Sequence, residues 1–355
     1  MNKIQKIPEY LVKTALHTKI LGAELPLLNT GKVRNTFAIP DHSDLLLMVA
    51  SDRISIFDFV LNALVALKGE VLTALTVFWL EPKNGLLRKI PNHLIDWGAG
   101  IDAYLPKALR GNSALQTRAL IVQKCDIVPV ECVVRGYLTG SAWADYRKNN
   151  GLVFNQQLPA GLQDGSKLPD DVFPFFTPTT KAHIGHDQPL SATEVAEVLE
   201  KYGNWLSDKS LEIYFTAYKY ALKQGIIIAD TKFEFGESSS LADEVLTPDS
   251  SRFWLVSEWE GALKDKRTPM ALDKEVVRLW GKGVLTPFAD GSGKKIVGIN
   301  GLKDTENSEF LRFIQSLTVP ADIIQMTAER YCKIFQLLTG YSLSDFQRQV
   351  MGIAA

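Results

Sequence analysis

The stretch from Gly225 to Phe253 limits the fold of this chain more than any other. An unbroken apolar run, Ile226-Ile227-Ile228-Ala229, passes directly into Asp230, Lys232 and Glu234 alternating with Thr231, Phe233 and Phe235. Successive side chains of a strand point to opposite faces. The first half is therefore a buried strand, and the second half sets three charges on one face over an apolar back. Leu241 to Val245 reads as the returning strand of a hairpin turning at Gly236 to Ser240, and the simplest register sets Glu234 opposite Asp243. Facing carboxylates repel, so the pair makes sense if a hard cation such as Mg²⁺ bridges them together with nucleotide phosphates. By itself the pattern also describes a solvated hairpin face neutralised by Lys232.

Three further stretches carry anion-binding chemistry. Thr247-Pro248-Asp249-Ser250-Ser251-Arg252 places two hydroxyls and a guanidinium behind a Pro-Asp turn, donors suited to carboxylate or phosphate. Val133-Val134-Arg135-Gly136-Tyr137-Leu138-Thr139-Gly140-Ser141 reads as strand, glycine-bearing loop and helix start. There Ser141 is a candidate N-cap, and Arg135 could clamp a phosphate at the helix N-terminus. Asn29-Thr30-Gly31-Lys32-Val33-Arg34 lies between two strand-like runs and could serve as a nucleotide lid. It is not a Walker A loop, because valine follows Lys32. Gly291-Ser292-Gly293-Lys294-Lys295 fails the same test. Ser51-Asp52-Arg53-Ile54-Ser55-Ile56-Phe57-Asp58 brings two acids and an arginine directly after the strand-like run Leu45 to Ala50, a position from which a sheet presents site residues. His183 and His186 have ligand-like spacing, but Pro178, Gly185 and Pro189 argue against a helix there, so zinc is not expected.

Around these stretches the chain reads as mixed α and β. Pro8 to Ile20 has helical amphipathicity. Leu25 to Ile39, Asp44 to Ala50, Ala119 to Val122 and Val128 to Val134 read as strands. Ser191 to Lys223 and Ala321 to Leu338 read as helices, Pro159 to Pro178 as an irregular surface segment, and Thr286 to Asn307 as a mobile loop. With 46% hydrophobic and 22% charged residues, disorder is not expected. A net charge of −1 offers no attraction to a polyanion, which argues against nucleic acid as partner. Three cysteines without CxxC spacing fit a reducing cytosol. No apolar run approaches a membrane span, so a soluble cytoplasmic protein without a signal peptide is expected.

Taken together, Gly31-Lys32-Val33-Arg34, Ser51-Asp52-Arg53, Val130-Glu131-Cys132-Val133-Val134-Arg135-Gly136-Tyr137, Asp230-Thr231-Lys232-Phe233-Glu234-Phe235-Gly236, Asp243-Glu244 and Asp249-Ser250-Ser251-Arg252-Phe253-Trp254 resemble the phosphoribosylaminoimidazole-succinocarboxamide synthase (SAICAR synthetase) family in its long, yeast-type form. The resemblance implies an α+β, two-lobe fold related to ATP-grasp and kinase-like folds, with an additional C-terminal helical region. By that analogy residues 1–120 form a β-rich lobe carrying the lid and 121–265 a central α/β lobe. Residues 266–355 form a mainly helical region packed on the central lobe.

The resemblance also implies roles. Gly31, Lys32, Val33 and Arg34 match the phosphate lid, Ile127 and Glu131 the edge that meets the nucleotide, and Lys181 a further ATP contact. Lys232 is expected both to touch ATP and, with Asp230, to act in catalysis. Glu234 and Asp243 match the magnesium ligands, and Asp58, Arg135, Ser141, Ser250 and Arg252 the ribonucleotide contacts. The implied reaction is ATP-dependent ligation of L-aspartate to 5-amino-1-(5-phosphoribosyl)imidazole-4-carboxylate through an acyl phosphate, in purine biosynthesis. Small molecules are its only implied partners, with ATP and Mg²⁺ as cofactors. The rival readings are a small-molecule kinase that stops after phosphoryl transfer and a non-catalytic nucleotide-binding module.

Overall fold

The structure, a computed structural model, describes residues 25–180, 190 and 192–354. The expected helix at Pro8 to Ile20, together with Lys181, His183, His186 and Ser191, lies outside the described residues.

The chain opens with antiparallel strands β1 (Leu27–Thr30), β2 (Arg34–Ile39) and β3 (His42–Ala50). After the hairpin β4 (Arg53–Ile56) and β5 (Phe59–Leu64) comes helix α1 (Lys68–Leu80). Next are β6 (Leu94–Trp97), a short α2 (Ser113–Gln116) and β7 (Ala119–Gln123). These complete a five-stranded sheet in the order β1-β2-β3-β7-β6. One face of it is alternately apolar, and Phe37, Leu47, Val49 and Ile121 pack there with Ile101, Leu105 and Leu109.

The second sheet is built on β8 (Val130–Arg135). Helix α3 (Gly140–Lys148) follows it, then the small ribbon β9 (Leu152–Val153) and β10 (Gln156–Gln157). The segment expected to be irregular, Pro159 to Pro178, is so except for β11 (Phe175–Phe176), and β12 (Thr179–Thr180) follows it, both strands paired with β8. Helices α4 (Ala192–Tyr202) and α5 (Trp205–Lys223) are separated at Gly203, whose φ is 79°. They lead into β13 (Ile226–Phe235), the central strand anticipated from its sequence, which pairs with β8 and with β15 (Ser251–Leu255) and briefly with β14 (Leu241–Ala242).

The register at the β13–β14 turn differs from expectation. Glu234 pairs with Ala242 and Phe235 with Leu241, one residue away from the Glu234–Asp243 pairing. A five-residue loop, closed by the Gly236 N–H on the Ser240 carbonyl at 2.8 Å, sets this register and buries Phe235 and Leu241 completely. Asp243 then leaves the strand with a left-handed φ of 58°.

The C-terminal part contains α6 (Val256–Lys264), α7 (Glu275–Gly283), β16 (Leu285–Ala289), β17 (Lys295–Val297), α8 (Ser308–Ser316), α9 (Ala321–Thr339) and α10 (Leu343–Gln349). The expected mobile loop at Thr286 to Asn307 is in large part a β16–β17 hairpin. Its turn is held by Asp290 Oδ1, which accepts from the Ser292 and Lys294 N–H groups at 2.9 and 3.0 Å. Helix α1 is buried along nearly its whole length, in one core with the second sheet, α5 and α9. A separate core joins Ile54, Ile56 and Phe59 of the β4–β5 hairpin to Val277, Ile299 and Ile314. The C-terminal region thereby packs on elements of both sheets. No helix among the described residues is long and apolar enough to cross a membrane.

Candidate active site

Between the sheets lies a cleft of about 1180 Å³. Every site residue expected from the sequence, apart from Lys181 outside the described residues, lines it: Gly31 to Arg34 and Asp58 from one side, and Ile127, Glu131, Arg135, Ser141, Asp230, Lys232, Glu234, Asp243, Ser250 and Arg252 from the other.

The lid residues are held by acids on both sides of the cleft. Lys32 Nζ lies 2.5 Å from Asp58 Oδ1 at the β4–β5 turn. Arg34 donates to both carboxylate oxygens of Asp243 at 2.9 Å, and its Nη2 lies 3.0 Å from Glu244 Oε1. Burial works against the Arg34 charge, and the two carboxylates outweigh it, holding the guanidinium above its ordinary pKa. Lys232, on the charged face of β13, donates to Glu131 on neighbouring β8. Burial opposes its charge too, but Glu131, Glu234 and Asp243 together raise its pKa, so it is a firmly protonated cation.

At the other end Asp230 is a hub: its Oδ2 accepts from Arg135 Nη1 at 3.1 Å and from Arg252 Nη1 at 2.8 Å. The β13 pairing dictates this, because Asp230 stands opposite Arg135 on one side and Arg252 on the other. Arg135 also donates to Ser141 Oγ at 3.1 Å. Ser141 is not the helix cap expected from sequence. Thr139 holds that position and α3 begins at Gly140, so the Ser141 hydroxyl is turned to the arginine instead. Two glycines permit the close fit. A Cβ at Gly136 would stand 2.1 Å from the Tyr214 hydroxyl, while Gly140 has φ 60° with the Arg252 guanidinium about 3.1 Å from where its Cβ would be.

The Thr247–Arg252 turn is fixed from beneath. Asp249 accepts from the fully buried Lys68 at 2.5 Å and from Tyr331 of α9 at 2.5 Å, and Lys274 lies 3.8 Å away. Although burial opposes ionisation of Asp249, Lys274 and Lys68 hold its carboxyl well below the usual range.

Sequence reasoning missed several cleft residues. Lys274 and Arg278 reach it from the start of α7, and Thr305 and Glu306 from the segment before α8. Burial lowers Lys274 to about 8. Arg278 and Arg252 both act on Asp273, whose carboxyl burial nonetheless raises to about 6. Their only sequence signal was two cations at i and i+4, which ordinary surface helices share. His93, beside Asp243, is pushed down to about 4 by burial and is neutral at pH 7.

Two antiparallel sheets enclose a cleft with separate cationic ends and a carboxylate pair beside one of them, a distribution of charge suited to two anionic ligands. The sequence model of the SAICAR synthetase family matches residues 27–294. A relative from Saccharopolyspora erythraea, phosphoribosylaminoimidazole-succinocarboxamide synthase, is 39% identical over 91% of this chain and 97% of its own length. The protein of the same name from Schizosaccharomyces pombe is 35% identical over 92% and 98%. The SAICAR synthase of Saccharomyces cerevisiae, solved in complex with SAICAR, superposes with a TM-score of 0.69 at 34% identity, covering 90% of this chain and 96% of that one. The chain belongs to the SAICAR synthetase family.

Proposed function

We propose that this chain performs the reaction its relatives are named for. It ligates L-aspartate to 5-amino-1-(5-phosphoribosyl)imidazole-4-carboxylate with ATP and Mg²⁺, in the cytoplasmic synthesis of purines. The observation that supports this reading is the gathering of every predicted site residue in the described structure around one cleft with two distinct cationic ends.

In this reading ATP lies under the Gly31–Arg34 lid with its base toward Ile127, and Lys232 meets its phosphates. The ribonucleotide phosphate lies between Arg135, Ser141 and Arg252, with Ser250 and Asp58 as further contacts. Asp230 positions both arginines. Glu234 and Asp243 offer hard carboxylate oxygens, suited to magnesium. An ion held there would complete its shell with phosphate and water. When bound, the ion would neutralise charge developing on the transferred phosphoryl group.

A carboxylate is a poor electrophile. Its oxygen attacks the γ-phosphorus, ADP departs, and an acyl phosphate results. The aspartate amine then attacks the carbonyl carbon, losing a proton as phosphate leaves. The protein's share is in-line positioning and charge neutralisation by Lys232 and the lid. A coupled assay omitting ATP, magnesium, aspartate and ribonucleotide in turn tests the proposal. ADP release that does not depend on aspartate would favour the kinase reading. Absence of ¹⁸O transfer from the substrate carboxylate to phosphate would reject the acyl phosphate.

A further inference from the structure

Among the described residues Arg53 is a buried cation without a counter-charge. Its side chain is inaccessible, it forms no ion pair with a carboxylate among the described residues, and its Nε and Nη1 have no hydrogen-bond partner there. Burial lowers its pKa only to about 10, so the charge persists at neutral pH. Such a group is costly to keep in a folded protein, and costs of this kind are concentrated where function requires them.

Its hydrogen bonds show where the requirement lies. Arg53 Nη2 donates to the Gly31 carbonyl at 3.0 Å and to Asn35 Oδ1 at 2.9 Å, the two residues that bracket the lid turn. Midway between them, the Val33 carbonyl accepts from both the N–H and the hydroxyl of Ser51, at 2.8 and 2.7 Å. The lid carbonyls are thus drawn down onto the segment that begins β4. The Gly31 carbonyl and the Lys32 N–H belong to one peptide unit, and in a trans peptide they point in opposite directions. With the carbonyl turned to Arg53, the Lys32 N–H is turned away from it, on a loop that lines the cleft. No acceptor among the described residues takes that N–H.

We propose that Arg53 is a positioning residue for nucleotide binding: it fixes the Gly31–Lys32 peptide so that the Lys32 backbone N–H faces the cleft as a donor to a phosphate oxygen of ATP. This rests on the reading of the lid as the ATP site. The bond to a cation also polarises the peptide and strengthens its N–H as a donor.

The experiment compares wild type, Arg53→Met and Arg53→Lys by thermal melting, by ATP affinity in calorimetry, and by separate KM values for ATP and ribonucleotide. Methionine removes an unpaired buried charge, so the variant should melt at or above the wild-type temperature. Its ATP affinity should fall by about tenfold, the scale of one charge-assisted hydrogen bond, with the ribonucleotide KM unchanged. Both bonds come from one guanidinium nitrogen, and a lysine ammonium has donors enough for both acceptors, so the lysine variant should lose a smaller part of the affinity. A folded methionine variant with wild-type ATP affinity overturns the proposal, as does parallel weakening of both substrates. Should the methionine variant not fold, the lysine variant decides by the same split. Because ATP affinity is measured directly, a wild type that binds ATP but makes no product counts against the proposed ligase activity and leaves the Arg53 test intact.

Discussion

Lys68→Met should destabilise this protein by about 3 kcal/mol and loosen the proposed ribonucleotide end. Lys68 and Asp249 are 0% and 2% exposed, with Nζ 2.5 Å from Oδ2. Removing one partner of a buried pair leaves the other charge uncompensated and typically costs about 3–5 kcal/mol. Here Asp249 keeps the Tyr331 hydroxyl at 2.5 Å and Lys274 at 3.8 Å, which places the loss at the lower end. At about 2.1 cal/mol/K per residue over 355 residues the unfolding entropy is about 0.75 kcal/mol/K, so the melting temperature should fall by about 4 °C. A double-mutant cycle with Asp249→Asn isolates the pair: the double variant should be at least about 1.5 kcal/mol more stable than the two single losses added together. Thermal melts give the stabilities. The ribonucleotide KM, expected to rise because Asp249 anchors the turn bearing Ser250 and Arg252, gives the functional consequence. A melting temperature within 1 °C of wild type (about 0.7 kcal/mol on the same scale), or strict additivity, would refute the reasoning.

Glu234→Gln and Asp243→Asn should each lower kcat by at least about 100-fold while far-UV circular dichroism stays that of the wild type; normal turnover in either would remove it from the metal assignment. Arg252→Ala should raise the ribonucleotide KM roughly 10- to 100-fold, with a smaller effect on the KM for ATP. Asp273→Asn tests a pH linkage. Burial raises the folded pKa from the ordinary 3.8 to about 6, so the stability contribution of Asp273 is fully present below about pH 3.8 and is lost as pH rises through about 6. The asparagine variant, which cannot ionise, should therefore gain on wild type by up to about 3 kcal/mol between pH 4 and pH 8 in urea denaturation, and a constant difference across that range would contradict the sign.

What could be read from the sequence was local. The run Ile226 to Phe235 declared itself a strand, buried at first and then charged on one face, because period-2 patterning needs no partner to be visible. The same holds for the lid between two strands and for the arginine that ends β8. What could not be read was decided by distant contacts. Whether Glu234 faces Asp243 or Ala242 depends on how a five-residue loop closes and on burying Phe235 against Leu241, and either register satisfies the local pattern. Lys68 looks like an ordinary lysine at a helix start, because its partner is 181 residues away. Lys274 and Arg278 lie on a helix whose charges look solvated until the chain folds over the cleft. The hairpin at Leu285–Val297 was hidden by its glycines, which mark the tight turn and not a mobile loop.

The charge arrangement also explains why composition was silent about an anion-binding function. Each cation of the cleft is matched by a nearby acid: Lys32 by Asp58, Arg34 by Asp243 and Glu244, Lys232 by Glu131, and Arg135 and Arg252 by Asp230. Such a site adds almost nothing to net charge, so a total of −1 coexists with two phosphate-sized cationic ends. The pairing has a mechanistic corollary. On the proposed assignments, an incoming phosphate competes with Asp243 for Arg34, and a divalent ion competes with Arg34 for Asp243. Nucleotide and metal arriving together exchange both partners at once, whereas nucleotide alone leaves Asp243 without Arg34 and metal alone leaves Arg34 with Glu244 only. Their binding should therefore be mutually strengthening, and by thermodynamic linkage the factor by which magnesium tightens ATP must equal the factor by which ATP tightens magnesium.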